Sequence, residues 1–210
     1  MKIGELKLST LMLTVPSLEI SFDSESDDNI RETIMDLKEN PNISDYIPLL
    51  PSAINRAISI IERRGGSPAR LMRVDSFNFE KIKNGYRITL DKLKKDILSI
   101  TKIMINGHEC AFEVESANTI ILHSEKVGEY ELLYKPRLAR ITEATSDFYE
   151  LEIDEALLEL IPYFAKSELI LSEYPDEAKS SREHFFELLD EFLGREREYG
   201  VKFDTVFSLE

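Results

Sequence analysis

Apolar residues recur along this chain with two different periods, and the changes of period divide it into blocks. From Ser44 onward, Ile47, Leu50, Ile54, Ile58 and Ile61 return at steps of three and four, with Ala57 on the same face. That spacing predicts an amphipathic helix with one buried stripe. Pro48 and Pro51 are tolerated only in a first helical turn, so the regular helix is predicted to begin near Leu50, and Gly65 with Gly66 to end it.

Between Leu71 and Pro136 the period falls to two. The segments 87–90, 101–105, 111–115, 119–123 and 130–135 are short, rich in β-branched or aromatic residues, and bounded by turn residues, so they are predicted strands. Asn106 followed by Gly107 is the strongest hairpin signal, because a type I′ turn needs positive φ at both central positions. Residues 116–118 and 126–128 are further reversal points, and Pro136 closes the last strand. An antiparallel meander is expected.

After Ser146 and Asp147 the helical period returns. Leu157, Leu158, Ile161, Phe164, Ala165, Leu169 and Ile170 predict one helix running to about Glu173, with Pro162 as a kink. Tyr174, Pro175 and Asp176 break the chain and restart it. Ala178, Ser181, Phe185, Leu188, Leu189 and Phe192 then form the stripe of a second helix ending near Gly194 or Gly200. Two helices joined by so few residues must pack as an antiparallel hairpin. Phe185 and Phe186 stand about 100° apart on that helix, so both can hardly enter one core and one is expected to face a neighbour.

The ends of the chain read differently. Residues 2–22 mix strand formers with Pro16 and run into the acidic-serine stretch at 21–28, expected to be a solvated loop or a segment ordered by assembly. Val201, Phe203, Val206, Phe207 and Leu209 alternate with polar residues after Gly200, as in a terminal strand or an extended arm. The expected organisation is α+β: an N-terminal extended, acidic segment at 1–45; a small helical bundle from 46–70 and 141–200, made of the first helix and the C-terminal helical hairpin; an inserted antiparallel β module at 71–140; and a C-terminal arm at 201–210.

Composition narrows the function. The 210 residues are 42% hydrophobic, ample for a core, and no run of about eighteen apolar residues or signal-peptide layout occurs, so a soluble protein that stays where it is made is expected. The single cysteine, Cys110, excludes an intramolecular disulfide framework and multi-cysteine metal sites, and fits a reducing cytoplasm. The net charge of −14 is unevenly spread: residues 1–45 carry −6, residues 46–144 carry +4 and residues 145–210 carry −12. The chain as a whole should repel nucleic acid, whose binding requires basic faces. Arg63, Arg64, Arg70 and Arg73, with Lys92, Lys94 and Lys95, supply the positive balance of the middle third and are either an electrostatic docking patch or scattered solvated surface.

Candidate chemistry is sparse. His108, Glu109 and Cys110 form the tightest cluster, and on a strand His108 and Cys110 would share a face, but no third, orienting group accompanies them. The spacings of a zinc deaminase are absent. Gly65, Gly66, Ser67 and Pro68 follow a helix instead of preceding one and lack the Lys and Ser or Thr of a P-loop. Glu150, Glu152, Asp154 and Glu155 suit the positive end of a helix dipole. No catalytic, cofactor-binding or metal-binding residue is expected, and the chain is read as not an enzyme.

The order of elements and three local runs resemble the phage head-to-tail adaptor, or connector, family, which includes the tail tubular protein A group and related prophage neck adaptors. The runs are LPSAINRAISIIERRG at 50–65; IMING at 103–107 with VGEYELLYKP at 127–136; and LEIDEALLELIPYFAKSEL at 151–169, followed by an acidic break and a second helix. They span roughly residues 45–193. The resemblance implies a structural virion protein of the neck, made in the bacterial host cytoplasm: a ring homo-oligomer, a dodecamer in the virion, contacting the portal protein and the tail or nozzle proteins. DNA would only pass through its channel, and it implies no cofactor and no membrane. The alternative is an acidic DNA mimic or another intracellular protein-interaction module, which would explain the charge but would need neither the β insertion nor the apolar tail.

Five apolar residues in the last ten are too many for a free solvated tail, so the arm is expected to be an assembly element. Deleting residues 201–210 should leave the melting temperature of the subunit unchanged while abolishing ring or portal binding. A large fall in monomer stability would instead place the arm in the core.

Overall fold

The computed structural model describes residues 1–15, 27–41 and 43–198. The chain is an α+β protein of two compact units. One takes both ends of the chain, up to Gly66 and from Ala139 onward; the other is the intervening Ser67–Leu138. Both boundaries fall slightly earlier than the sequence pattern places them. The predicted arm at 201–210 and most of the acidic-serine stretch lie outside the described residues.

The helical unit contains α1 (Ile3–Thr14), α2 (Asp27–Lys38), α3 (Leu50–Arg64), α5 (Glu155–Leu158), α6 (Ile161–Leu169) and α7 (Pro175–Glu198). The predicted stripe of α3 is buried through Leu50, Ala53, Ile54, Ala57, Ile58 and Ile61, while Ile47 falls in a short 3-10 turn ahead of it. Gly65 caps the helix in the left-handed conformation. Helix α6 packs against α1, α3 and α7 and buries six of its nine residues: Ile161, Pro162, Phe164, Ala165, Ser167 and Leu169. Each large apolar side chain so buried contributes about 1.5–3 kcal/mol. Ser167 satisfies its hydroxyl by donating to the carbonyl of Phe164 at 2.7 Å.

Three expectations are corrected here. Residues 3–14 are not extended: they form α1, whose Ile3, Leu6, Leu8 and Leu11 are buried. Thr10 and Thr14 keep their hydroxyls satisfied by donating to carbonyls one turn back, at 2.8 and 2.7 Å. The backbone N–H groups of Ile3 and Gly4, unpaired within any helix start, donate to the carbonyls of Tyr149 and Asp147. Gly4 is required by close packing, since a Cβ there would lie 2.4 Å from Cγ2 of Ile30. Asp27 and Asp28 open α2, which buries Ile30, Ile34 and Leu37 at helical spacing. The 1–45 segment thus contributes two helices to the unit.

Second, Pro162 does not kink one long helix. The chain makes two helices, α5 and α6, with Pro162 in the first turn of α6, where its missing N–H is no loss. Helix α6 ends at Leu169. Helix α7 runs through Gly194, where a Cβ would meet nothing. The α6–α7 hairpin is antiparallel: Lys166 pairs with Glu177 at 2.7 Å, and further along Ser181 donates to the carbonyl of Tyr163 at 2.8 Å.

Third, the β module is not a simple meander. Strands β1 (Arg70–Asp75), β8 (Glu129–Pro136), β4 (Ile97–Ile105) and β5 (His108–Glu109) form one antiparallel sheet in that order. Strands β2 (Glu80–Ile82), β3 (Gly85–Thr89), β7 (Thr119–Leu122) and β6 (Phe112–Ser116) form another, and a single turn of helix, α4 (Leu90–Leu93), follows β3. Both sheets feed one core, with Val74, Ile103, Ile105, Leu132 and Tyr134 from the first and Tyr86, Ile88, Ile120 and Leu122 from the second. Strand β8 alternates buried residues with an exposed Glu129 and then half-buried ones along its length. Phe79, Tyr86 and Tyr130 pack with centroids 5.5–6.3 Å apart, and the buried Tyr130 hydroxyl donates to the carbonyl of Lys126 at 2.7 Å. Asn106 (φ 51°) and Gly107 (φ 74°) make the β4–β5 turn, both with positive φ.

Among the described residues no helix is long and apolar enough to cross a membrane. Replacing Ile58, fully buried in the α3 stripe, by Asp puts an unpaired charge in the core of the helical unit. Ile58→Asp should destabilise the protein by roughly 4 kcal/mol or more and abolish its cooperative thermal transition; a melt like that of the wild type would show the stripe to be solvent-facing.

Candidate functional site

The residues with reactive side chains are kept apart. His108 and Glu109 lie exposed on β5, Glu109 pairs with Lys102 at 3.2 Å, and Cys110 turns against the module core. The Cys110 sulfur sits 3.8 Å from the backbone oxygen of His108, and no hydrogen bond joins thiol to imidazole. His123 meets Glu113 across β7 and β6 at 3.3 Å, and His184 stacks edge-on against Tyr163. Asp154 caps α5, its carboxylate accepting from the N–H of Ala156 at 2.9 Å. Among the described residues no three His, Cys, Asp or Glu side chains come together as a metal site would require.

The basic residues of the middle third are divided between the two units. Arg64 pairs with Asp190 at 2.9 Å in the helical unit, and Arg63 donates to the carbonyl of Ser59. In the β module Arg73 bridges Glu131 and Glu129, while Lys94 is held by Asp96 at 3.1 Å and by the Tyr134 hydroxyl. Carboxylates thus neutralise Arg73 and Lys94 within the module. Of the aromatic pair, Phe185 is fully buried, and Phe186 is half-buried beside Phe164 and under the Arg64 guanidinium at 5.8 Å.

What the helical unit does gather is an ion-pair network. Glu168 of α6, largely buried, is gripped by Arg56 of α3 and by Arg182 of α7, the latter at 2.5 Å. Arg182 also lies over the Phe164 ring at 5.5 Å. One carboxylate therefore ties three helices, although both arginines stay partly in solvent, which screens the attraction. Nearby, Tyr46 donates its hydroxyl to Glu173 at 3.0 Å. Burial, and then that hydrogen bond, push the Tyr46 pKa up to about 12. The sequence pattern held one trace of this network: Ser52, Arg56, Ser59 and Arg63 recur on the α3 face opposite its apolar stripe.

Two shallow grooves open on the helical unit. One, of about 120 Å³, is walled by Leu49, Ser52, Ala53, Arg56, Glu168 and Leu169. The other, of about 300 Å³, lies between α1 and the start of α6, with Met12, Leu13, Pro162 and Tyr163 among its walls. Small-molecule sites generally enclose about 300–1,000 Å³ and converge several polar groups. Neither groove brings a nucleophile to a base. Compared with models of known protein families and with curated proteins, the chain matches none.

The Tyr46 hydroxyl gives a pH test of this packing. A folded pKa raised above the unfolded value stabilises the fold fully below pH 10 and less and less as pH climbs toward 12. The stability advantage of the wild type over Tyr46→Phe, measured by denaturant unfolding, should therefore shrink between pH 10 and 12. An advantage independent of pH would place that hydroxyl in solvent.

Proposed function

We propose that the chain is the subunit of a head-to-tail adaptor ring in a tailed phage or prophage, joining the portal of the head to the tail. The observation that carries the reading is the plan of the chain: a β module inserted between α3 and the C-terminal helical pair, in the order in which the adaptor-like runs fall. The grooves and the ion-pair network support a role in holding and docking protein surfaces. The acidic charge also suits a channel component, because a negative wall does not bind DNA as it slides past.

In this reading the partners are other copies of the chain, the portal, and the tail or nozzle proteins, and the subunit carries no catalytic residue and no cofactor. Immunogold electron microscopy of particles from a phage or induced prophage encoding the chain tests it. Label confined to the neck, between head and tail, is the expected result. Particles whose necks carry no label, in a lysate that contains the protein, would overturn the proposal.

A further inference from the structure

Strand β1 and the alternating residues at the end of the chain complement each other position by position. We infer that residues 201–210 of one copy add an antiparallel strand to the open edge of β1 in the next copy. The inference rests on the ring reading and deepens it by naming a contact between subunits.

Among the described residues β1, β5, β2 and β6 are the edge strands of the two sheets. Strands β5 and β2 have only two and three residues, and β6 is exposed from Glu113 to Ser116, so a strand added there would bury little. Strand β1 is longer and pairs with β8 over six consecutive positions without a bulge, and it carries neither Pro nor Gly. The N–H of Ser76 donates to the Gly128 carbonyl at 2.9 Å, which continues that ladder by one pair. Even-numbered residues of β1 therefore bond to β8, and Leu71 and Arg73 direct their backbone N–H and C=O groups to the open side. No backbone group of another described residue pairs with them there. An edge of this kind is a template for a further strand. On the core side Val74 is buried and Met72 only partly so, which leaves the module core incompletely covered at this edge.

Residues 199–210 follow the end of α7 and can span about 40 Å when drawn out, enough to reach a neighbouring copy. Val201, Phe203, Phe207 and Leu209 fall on odd positions, and Lys202, Asp204, Ser208 and Glu210 on even ones, so a strand formed here has one apolar and one polar face. Turning the apolar face to the module core restricts the pairing to every second register. In one antiparallel register Lys202 stands opposite Asp75, Asp204 opposite Arg73 and Val206 opposite the half-exposed Leu71, all on the outer face. The same register lays Phe203 over Val74 beside Met72 on the core face. A slip of two residues sets Asp204 against Asp75 in one direction and Lys202 against Arg73 in the other, and like charges directly opposite are destabilising. Arg73 already bridges Glu131 and Glu129, yet it is 64% exposed and its forked guanidinium has donors to spare. Asp75 caps the following turn through Oδ1, which leaves Oδ2 for Lys202. The charges thus choose the register, while backbone hydrogen bonds and the burial of Phe203 supply the affinity. Arm and edge are different patches, so the contact is heterologous, and such contacts close into rings when the rotation allows.

The test mixes two full-length chains, both carrying Cys110→Ser and both checked for an unchanged melting temperature. One carries Leu71→Cys, and the other, marked by a mass tag, carries Val206→Cys. Residues opposite each other in a hydrogen-bonded pair lie about 5.5 Å apart at Cα, within reach of a disulfide. Under mild oxidation the mixed disulfide should form at least tenfold faster than when Asp204→Cys or Ser208→Cys, each one slip away, replaces Val206→Cys. In sedimentation velocity the wild type should form oligomers, and exchanging the two arm charges, by Lys202→Asp with Asp204→Lys, should weaken them at least tenfold. Equal cross-linking at the three arm positions, or oligomers indifferent to the exchange, would overturn this contact. A disulfide that closes within a single chain carrying both cysteines at high dilution would put the arm on its own subunit and overturn it as well. Label at particle necks leaves the ring reading standing in each of these cases. A wild type that stays monomeric overturns the contact, and one also missing from particle necks overturns the ring reading with it.

Discussion

Helix α6 is the element on which the helical unit depends, because α1, α3 and α7 all close on it. A segment of nine residues so enclosed can keep few polar side chains, and the three near its end are each paired: Lys166 with Glu177, Ser167 back to its own helix, and Glu168 with arginines from both neighbours. Removing Glu168 would leave two guanidinium groups facing each other across α3 and α7. The network thus sets the register of three helices as well as holding them together, an orienting role that apolar contacts fill poorly because they are non-directional.

The β module solves its own burial problem. Its two sheets contribute to one core, and the aromatic trio of Phe79, Tyr86 and Tyr130 fills that core, with the Tyr130 hydroxyl bonded to the Lys126 carbonyl and to the Ser124 hydroxyl. A module with a complete core of its own can be inserted in a loop at the cost of joining two chain crossings. Asn55 secures the return: its side chain donates to the carbonyl of Ile141 at 2.7 Å and accepts from the same residue's N–H at 2.9 Å, as a strand neighbour would. The insertion also leaves turns exposed, Phe77 among them at 86%.

Much of this architecture was legible wherever one face of an element meets water. The stripe of α3, the alternation of β8 and the positive-φ turn at Asn106 and Gly107 all appear in the sequence, because amphipathic periods and turn geometry are local properties. Helix α1 was not legible for the converse reason. With Ile3, Leu6, Leu8 and Leu11 buried and Leu13 half-buried, its apolar residues surround the helix, and the steps from Leu6 to Leu8 and from Leu11 to Leu13 imitate a strand. Strand β1 hides similarly, since Leu71 and Met72 are adjacent and break the alternation.

By itself, then, the sequence determined the α+β class, the place of the β insertion and the spans of α3 and of several strands, all of which follow from spacing within a few residues. Only the tertiary structure decided that the N-terminal block is helical, that Pro162 starts a helix, that the strands divide into two sheets, and that Arg56, Glu168 and Arg182 meet. Each of these depends on residues far apart in the chain. Gly4 is the clearest instance: its lack of a side chain has meaning only because Ile30 lies against it. A pairing of this kind is fixed by which surfaces remain to be buried once the local elements have formed, and no local period records it.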